Sequence, residues 1–255
     1  MTGGVRSFLR RLAIPALWVP DPASPPDATD IFCRPPTDSR QTTPLMESQH
    51  FYVYASRFPL APGHLLIVPR DHIPVYAEIP VLWHRELERV IATVRTFQRE
   101  MYGKESFARE QGSPPGSPGN RQSVRHAHFH LIPFESDGTP LPAFSGEAKL
   151  RSFGDLARYR WKKGYYHYVE INGDRRVVPD VGPGVAEAEL ALRDRIGNVW
   201  DPVKLQPTKF EDPIGKEMFK EVIDRWNTWL DRHGVATVGK GLTRTELRPH
   251  VTVEL

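Results

Sequence analysis

Within residues 125–134, Arg-His-Ala-His-Phe-His-Leu-Ile-Pro-Phe, three histidines alternate with apolar residues over five positions. This predicts a strand, because side chains at i, i+2 and i+4 of a strand share one face. Ala127, Phe129 and Leu131 would then enter a core, and His126, His128 and His130 would share the opposite, solvent-facing side. Residues 50–55, His-Phe-Tyr-Val-Tyr-Ala, read as a second strand rich in aromatic and β-branched residues. Residues 65–68, Leu-Leu-Ile-Val, form the uninterrupted apolar run of a fully buried strand. A short connection containing Pro59, Pro62 and Gly63 suggests that these two pair antiparallel.

A period near 3.6 replaces the period of two over residues 80–102. Leu82, Leu87, Val90, Ile91, Val94, Phe97 and Met101 form one stripe, Pro80 opens the segment and Gly103 stops it, which predicts an amphipathic helix. Residues 112–119, Gly-Ser-Pro-Pro-Gly-Ser-Pro-Gly, are low in complexity and read as a mobile loop, and the loop ahead of the histidine strand is taken to include Glu110, Gln111 and Gly112. Further on, residues 165–178 predict a hairpin around Asn172-Gly173. Residues 186–196 predict a short helix, 216–233 an amphipathic helix whose Trp226 and Trp229 belong to the packed stripe, and 250–255 an edge strand. The expected class is α+β: an antiparallel sheet with a long amphipathic helix, plus a smaller α+β extension. The expected divisions are a basic, Pro-rich lead-in at 1–27, a catalytic domain at 28–145 and the extension at 146–255.

Composition narrows the function classes. The 255 residues hold 34 Lys and Arg against 31 Asp and Glu, a formal net charge of +3. No Lys/Arg block resembles a nucleic-acid arm, so a nucleic-acid partner is not expected. A single cysteine, Cys33, rules out an intramolecular disulfide framework and suits a reducing compartment. No apolar run approaches the 18 or so residues of a membrane span. Residues 1–18 carry Arg6, Arg10 and Arg11 among apolar residues without an acid. The expectation is a cytoplasmic protein with a basic amphipathic lead-in, a mitochondrial transit segment being the alternative.

The histidine row is the candidate chemistry. Imidazole titrates near neutrality and can act as nucleophile, acid or ligand. A neutral ring attacks phosphorus without prior deprotonation, and a covalent intermediate splits one hard displacement into two easier ones. Gln122 and Ser123, just upstream, are suited to stabilising charge on phosphoryl oxygens. A metal-dependent hydrolase using His126, His128 and His130 as ligands is an alternative, although one straight strand spreads the three too far for a single tetrahedral ion.

Residues 126–133, with Gln122-Ser123-Val124, the stretch from Pro59 to His72 and Ile31-Phe32-Cys33, resemble the histidine triad nucleotide-binding and hydrolase family over about residues 28–135. The resemblance implies a phosphate pocket on an antiparallel sheet and transfer of a nucleotide to the middle histidine. On that basis His128 is the nucleophile, His130 and Ser123 contact phosphate oxygens, Gln122 lies against the leaving group and His126 supports the site. His64 and His72 complete the substrate-binding set. Retention of His130, where a phosphate-transferring branch has Gln, favours hydrolysis. Arg121 stands where the family usually has Gly.

No cofactor is implied as a requirement. Some members hold a structural zinc through Cys-x-x-Cys and two histidines, and this chain offers Asp30, Cys33, His72 and His126 for it, the alternative being that Cys33 is a small buried hydrophobe. The region after about residue 150 looks like the segment that follows such a domain in splicing-associated proteins and longer bacterial members. The expected partner is a small nucleotide, a homodimer being left open. A non-catalytic binding module in RNA processing is the alternative function.

Overall fold

The computed structural model describes residues 30–33, 44–112, 126–135, 138, 143–144, 146–159, 166–179 and 213–234. Expectations for residues 1–18, 113–119, 186–196 and 250–255 lie outside them.

The fold is α+β. Among the described residues, eight strands form one antiparallel sheet: β1 (Met46–Glu47), β2 (Phe51–Ala55), β3 (Leu65–Pro69), β4 (Glu105–Gly112), β5 (Phe129–Phe134), β6 (Ala148–Leu150), β7 (Tyr166–Ile171) and β8 (Asp174–Pro179). Their order is β1-β2-β3-β5-β4-β7-β8-β6. The strands on either side of residue 145 thus share one hydrogen-bonded ladder, with β7 paired to β4 from Ala108↔Glu170 to Gly112↔Tyr166. Asn172 (φ 49°) and Gly173 (φ 82°) both adopt the left-handed region that the two-residue β7–β8 turn demands.

Two helices, α1 (His84–Tyr102) and α2 (Pro213–Arg232), cover one face. Leu87, Val90, Ile91, Val94 and Phe97 of α1 pack on Val53, Leu65, Ile67, Phe129 and Leu131. Each such side chain contributes about 1.5–3 kcal/mol by leaving water. A one-residue slip of β5 would expose Phe129 and Leu131 and drive His130 into their place, so the register is strongly specified. Trp226 of α2 is buried against Phe97, ring centroids 4.7 Å apart, and its indole N–H donates to the Leu45 carbonyl at 3.0 Å. No helix among the described residues is long and apolar enough to cross a membrane.

Two expectations are corrected. The long helix starts at His84, not residue 80: Pro80 is extended (ψ 134°) and Val81–Trp83 close a tight 3-10 turn that leaves Leu82 78% exposed. Glu110, Gln111 and Gly112 belong to no loop; they end β4, near the middle of the sheet. Glu110 is tolerated there because the Tyr76 N–H (2.6 Å) and the Tyr166 hydroxyl (2.9 Å) donate to its carboxyl, which burial pushes up to about 8.

Gln98 is the polar exception on the buried stripe of α1. Its amide donates to the Gly63 and Leu131 carbonyls at 2.9 and 3.0 Å, while the Ser106 hydroxyl donates to its oxygen. Gln98→Leu leaves these groups buried and unpaired, so the unfolding free energy should fall by about 1–3 kcal/mol. A urea titration with an unchanged midpoint would refute that role.

Candidate functional site

The pleat that sends Phe129 and Leu131 under α1 turns His130 to the opposite face of the sheet. His130 stands between Leu66 of β3 and Arg109 of β4, its direct cross-strand partners. Residues 126–128 lead into β5 and are held by the Ala127 N–H, which donates to the Ile73 carbonyl at 2.7 Å.

Each ring nitrogen here can be assigned from partners that have only one role. His128 Nδ1 lies 2.8 Å from the His126 carbonyl oxygen, so it carries the proton and leaves the lone pair of the neutral ring on Nε2. The Leu60 N–H donates to His64 Nδ1 at 3.1 Å, so His64 Nε2 is protonated and donates to His130 Nδ1 at 2.9 Å. Neutral His130 therefore carries its proton on Nε2. His126 Nε2 donates to the Pro69 carbonyl at 2.8 Å, which leaves its Nδ1 facing Asp30 Oδ2 at 3.1 Å.

The site pushes the His64, His128 and His130 rings toward the neutral form. Burial, helped by the charges of Arg109 and His128, pushes the His64 imidazole down to about 3. Burial and then the charges of His128, His64 and Arg109 hold His130 well below the usual range. His128 is lowered by burial first, with its bond to the His126 carbonyl opposing.

Behind the row lies a second cluster. Asp30, Cys33, His72 and His126 bring one ligand atom each to within 4.8 Å of one another, a group able to hold a metal ion. Cys33 Sγ lies 3.1 Å from His72 Nδ1, 3.3 Å from Asp30 Oδ2 and 3.6 Å from His126 Nδ1, and His72 Nδ1 lies 3.3 Å from the carboxylate. Burial alone would raise the Asp30 carboxyl; His126, the Phe32 N–H and Cys33 outweigh it and hold it at about 2. Two acceptors, His126 Nδ1 and Asp30 Oδ2, meet at 3.1 Å, so a proton or a cation belongs between them.

Three sequence expectations change. His126 does not face solvent; it is fully buried, and its ring belongs to the Asp30 cluster. His64 is also buried, with both ring nitrogens committed to Leu60 and His130, so it positions His130 instead of touching substrate. The three triad histidines do not share a metal position, because His126 Nδ1 turns to the Asp30 cluster while the Nδ1 atoms of His128 and His130 are occupied. Gln122 and Ser123 lie outside the described residues. Sequence reasoning missed Arg109 altogether; its only signal is a charged residue within a stretch not recognised as a strand.

Beside the Asp30 cluster, His128 and His130 stand on one face of the antiparallel sheet with their ring protons fixed by main-chain groups and His64. Residues 39–137 match the HIT domain model, so that segment is similar to a HIT domain. A HIT-like protein of Methanocaldococcus jannaschii is 28% identical over 113 residues, 42% of this chain and 81% of that protein. Among solved structures, a hypothetical histidine triad nucleotide-binding protein from Sulfolobus tokodaii aligns at 15% identity and TM-score 0.35, over 77% of this chain and 91% of that one. Yeast Ap4A phosphorylase Apa2 in complex with AMP aligns at 14% identity and TM-score 0.38, over 58% and 67%.

The His64 shift sets an acid limit. The unfolded ring takes up a proton near pH 6.5 and the folded one only near 3, so the unfolded state binds more protons between those values and stability falls as pH drops through them. His64→Gln, which can still accept from Leu60 and donate to His130, should remove about 2–3 kcal/mol of the loss between pH 7 and 4.5. Identical slopes of urea stability against pH in wild type and variant would contradict the assignment.

Proposed function

We propose that the protein cleaves nucleotides at the α-phosphate through a nucleotidyl intermediate on His128. It acts as a hydrolase or nucleotidyl transferase on a dinucleoside polyphosphate or a nucleoside phosphoramidate. One observation carries this reading: His128 donates from Nδ1 to the His126 carbonyl, which leaves Nε2 as the nucleophilic nitrogen. Its lone pair forms the bond to phosphorus as the bond to the leaving group breaks and those electrons depart with that group. The Nε2–H of His130, oriented through His64, is available to a phosphoryl oxygen on which charge builds. Water or another acceptor then attacks phosphorus, and the nitrogen–phosphorus pair returns to His128. Ser123 and Gln122 keep the roles that the resemblance implies, at the phosphate and the leaving group.

Beside the row, Phe32 lies 6.0 Å from His128 and 5.6 Å from Tyr54, ring to ring, over Leu66 and Val68. This apolar surface suits a nucleobase, since aromatic faces stack on bases without reading their edges.

The second cluster is read as a structural zinc site. Bonds of about 2.0–2.3 Å at tetrahedral angles hold donors about 3.3–3.8 Å apart, close to the 3.1–3.6 Å separations present without an ion. The Nε2–H to Pro69 bond fixes His126 in the tautomer a metal needs. Zinc there would neutralise the Asp30 and Cys33 charges and clamp the Asp30–Cys33 turn to the segment entering β5. It takes no part in the transfer.

His128→Ala should lower turnover of any active substrate by at least about 10³-fold and abolish a nucleotidyl adduct at residue 128 in quenched-reaction mass spectrometry. Full activity in that variant would sink the nucleophile. Because the His128 pKa lies below 6.5, the rate should hold on the acid side until the pH falls below that value. Purified protein should carry about one zinc per chain by elemental analysis, and Cys33→Ser should lose it with a fall in Tm of about 5 °C or more. Metal-free wild type with the same Tm as the variant would dismiss the zinc.

A further inference from the structure

The row of cross-strand partners through His130 is continuous: Tyr54↔Leu66, Leu66↔His130, His130↔Arg109 and Arg109↔Val169. Residues directly opposed in an antiparallel pair project to the same face, with Cβ atoms about 4.5–5.5 Å apart. Arg109 therefore rises beside His130 on the side away from Phe32 and Tyr54. The two sides of the row differ in chemistry. Toward β2 and β3 lie Tyr54, Leu66, Val68 and Phe32. Toward β7 lies half-buried Arg109, whose charge acts on His64, His128 and His130, and beyond it the buried Val169 of the apolar cluster with Phe107 and Ile132.

We infer that Arg109 is a specificity-determining residue that binds the phosphate following the α-phosphate, so that the preferred substrates carry a phosphoanhydride chain and not a single phosphate linked to an amine. The inference rests on His128 and His130 marking the α-phosphate position. A nucleotide with its base over Phe32 and Tyr54 and its α-phosphate at His128 has its next phosphate directed beyond the row. Arginine is matched to it: its planar donor fork takes two phosphate oxygens at once, and such charge-assisted bonds strengthen away from bulk water. A phosphoramidate leaving as an amine offers that fork no oxygens. Arg109 takes no proton and forms no covalent bond.

The test reads binding, not turnover. AMP and the non-hydrolysable α,β-methylene-ADP are titrated calorimetrically into wild type, Arg109→Gln and Arg109→Lys, with inorganic phosphate titrated into the AMP complex as a separate arm. Wild type should bind the methylene analogue about tenfold or more tighter than AMP. Arg109→Gln should erase that advantage while leaving AMP affinity within about twofold, and Arg109→Lys should keep part of it because the charge remains. Equal affinity for the two nucleotides in wild type overturns the inference, as does an equal loss for both in Arg109→Gln. Phosphate joining the AMP complex in an Arg109-dependent way, without preference for the analogue, also overturns it, since the subsite would then serve a free acceptor. A wild type that discriminates as stated yet forms no His128 adduct upholds Arg109 and sinks the catalytic reading. A wild type that binds neither nucleotide sinks both.

Discussion

The pleat of β5 is the constraint on which the rest depends. Phe129 and Leu131 are fully buried beneath α1, and the period of two then leaves His130 no choice of face. Because β5 lies between β3 and β4, that face is bounded by two other strands whose registers are fixed by the same core. The site inherits its positions from hydrophobic packing on the far side of the sheet, and on its own face the histidines stand between two smaller apolar clusters.

Backbone carbonyls and a backbone amide supply what packing cannot, the identity of the protonated nitrogen on each ring. The His126 and Pro69 carbonyls accept from His128 and His126, and the Leu60 amide donates to His64, which passes the polarity on to His130. Main-chain groups do not titrate, so these assignments persist wherever the rings are neutral. Burial and the Arg109 charge then push His64, His128 and His130 toward the neutral form. The His128 lone pair on Nε2 and the His130 Nε2–H are set by the same two devices.

The strands beyond residue 145 enlarge this arrangement. β7 pairs along β4, so the strand that carries Arg109 is interior and not an edge. Glu170 of β7 is fully buried, with Arg95 of α1 at 3.0 Å and the Tyr168 hydroxyl donating at 2.7 Å, which ties the hairpin to the helix over the core. Breaking such a pair from one side leaves an uncompensated buried charge, so the hairpin and α1 are held in one relation. On the site face, His167 pairs directly with Gln111, one step along from Arg109. The extension therefore borders the site through the sheet.

Much of this was legible in the chain. The strands around residues 51–55 and 65–69, the body of α1, the Asn172-Gly173 hairpin and the stripe with Trp226 and Trp229 each follow from a period and its stop signals. The triad itself was legible as an alternation. β4 was not, because Glu105, Arg109, Glu110 and Gln111 look like loop residues until Tyr76 and Tyr166 are present to satisfy Glu110. Local sequence thus determined which residues alternate and which repeat helically, since those periods are properties of the backbone. Only the tertiary structure decided that His126 leaves the row for Asp30, Cys33 and His72, that His64 stands behind His130, and that Arg109 stands beside it. Those relations join residues 21 to 96 positions apart, and only the sheet register and the shared core bring them together.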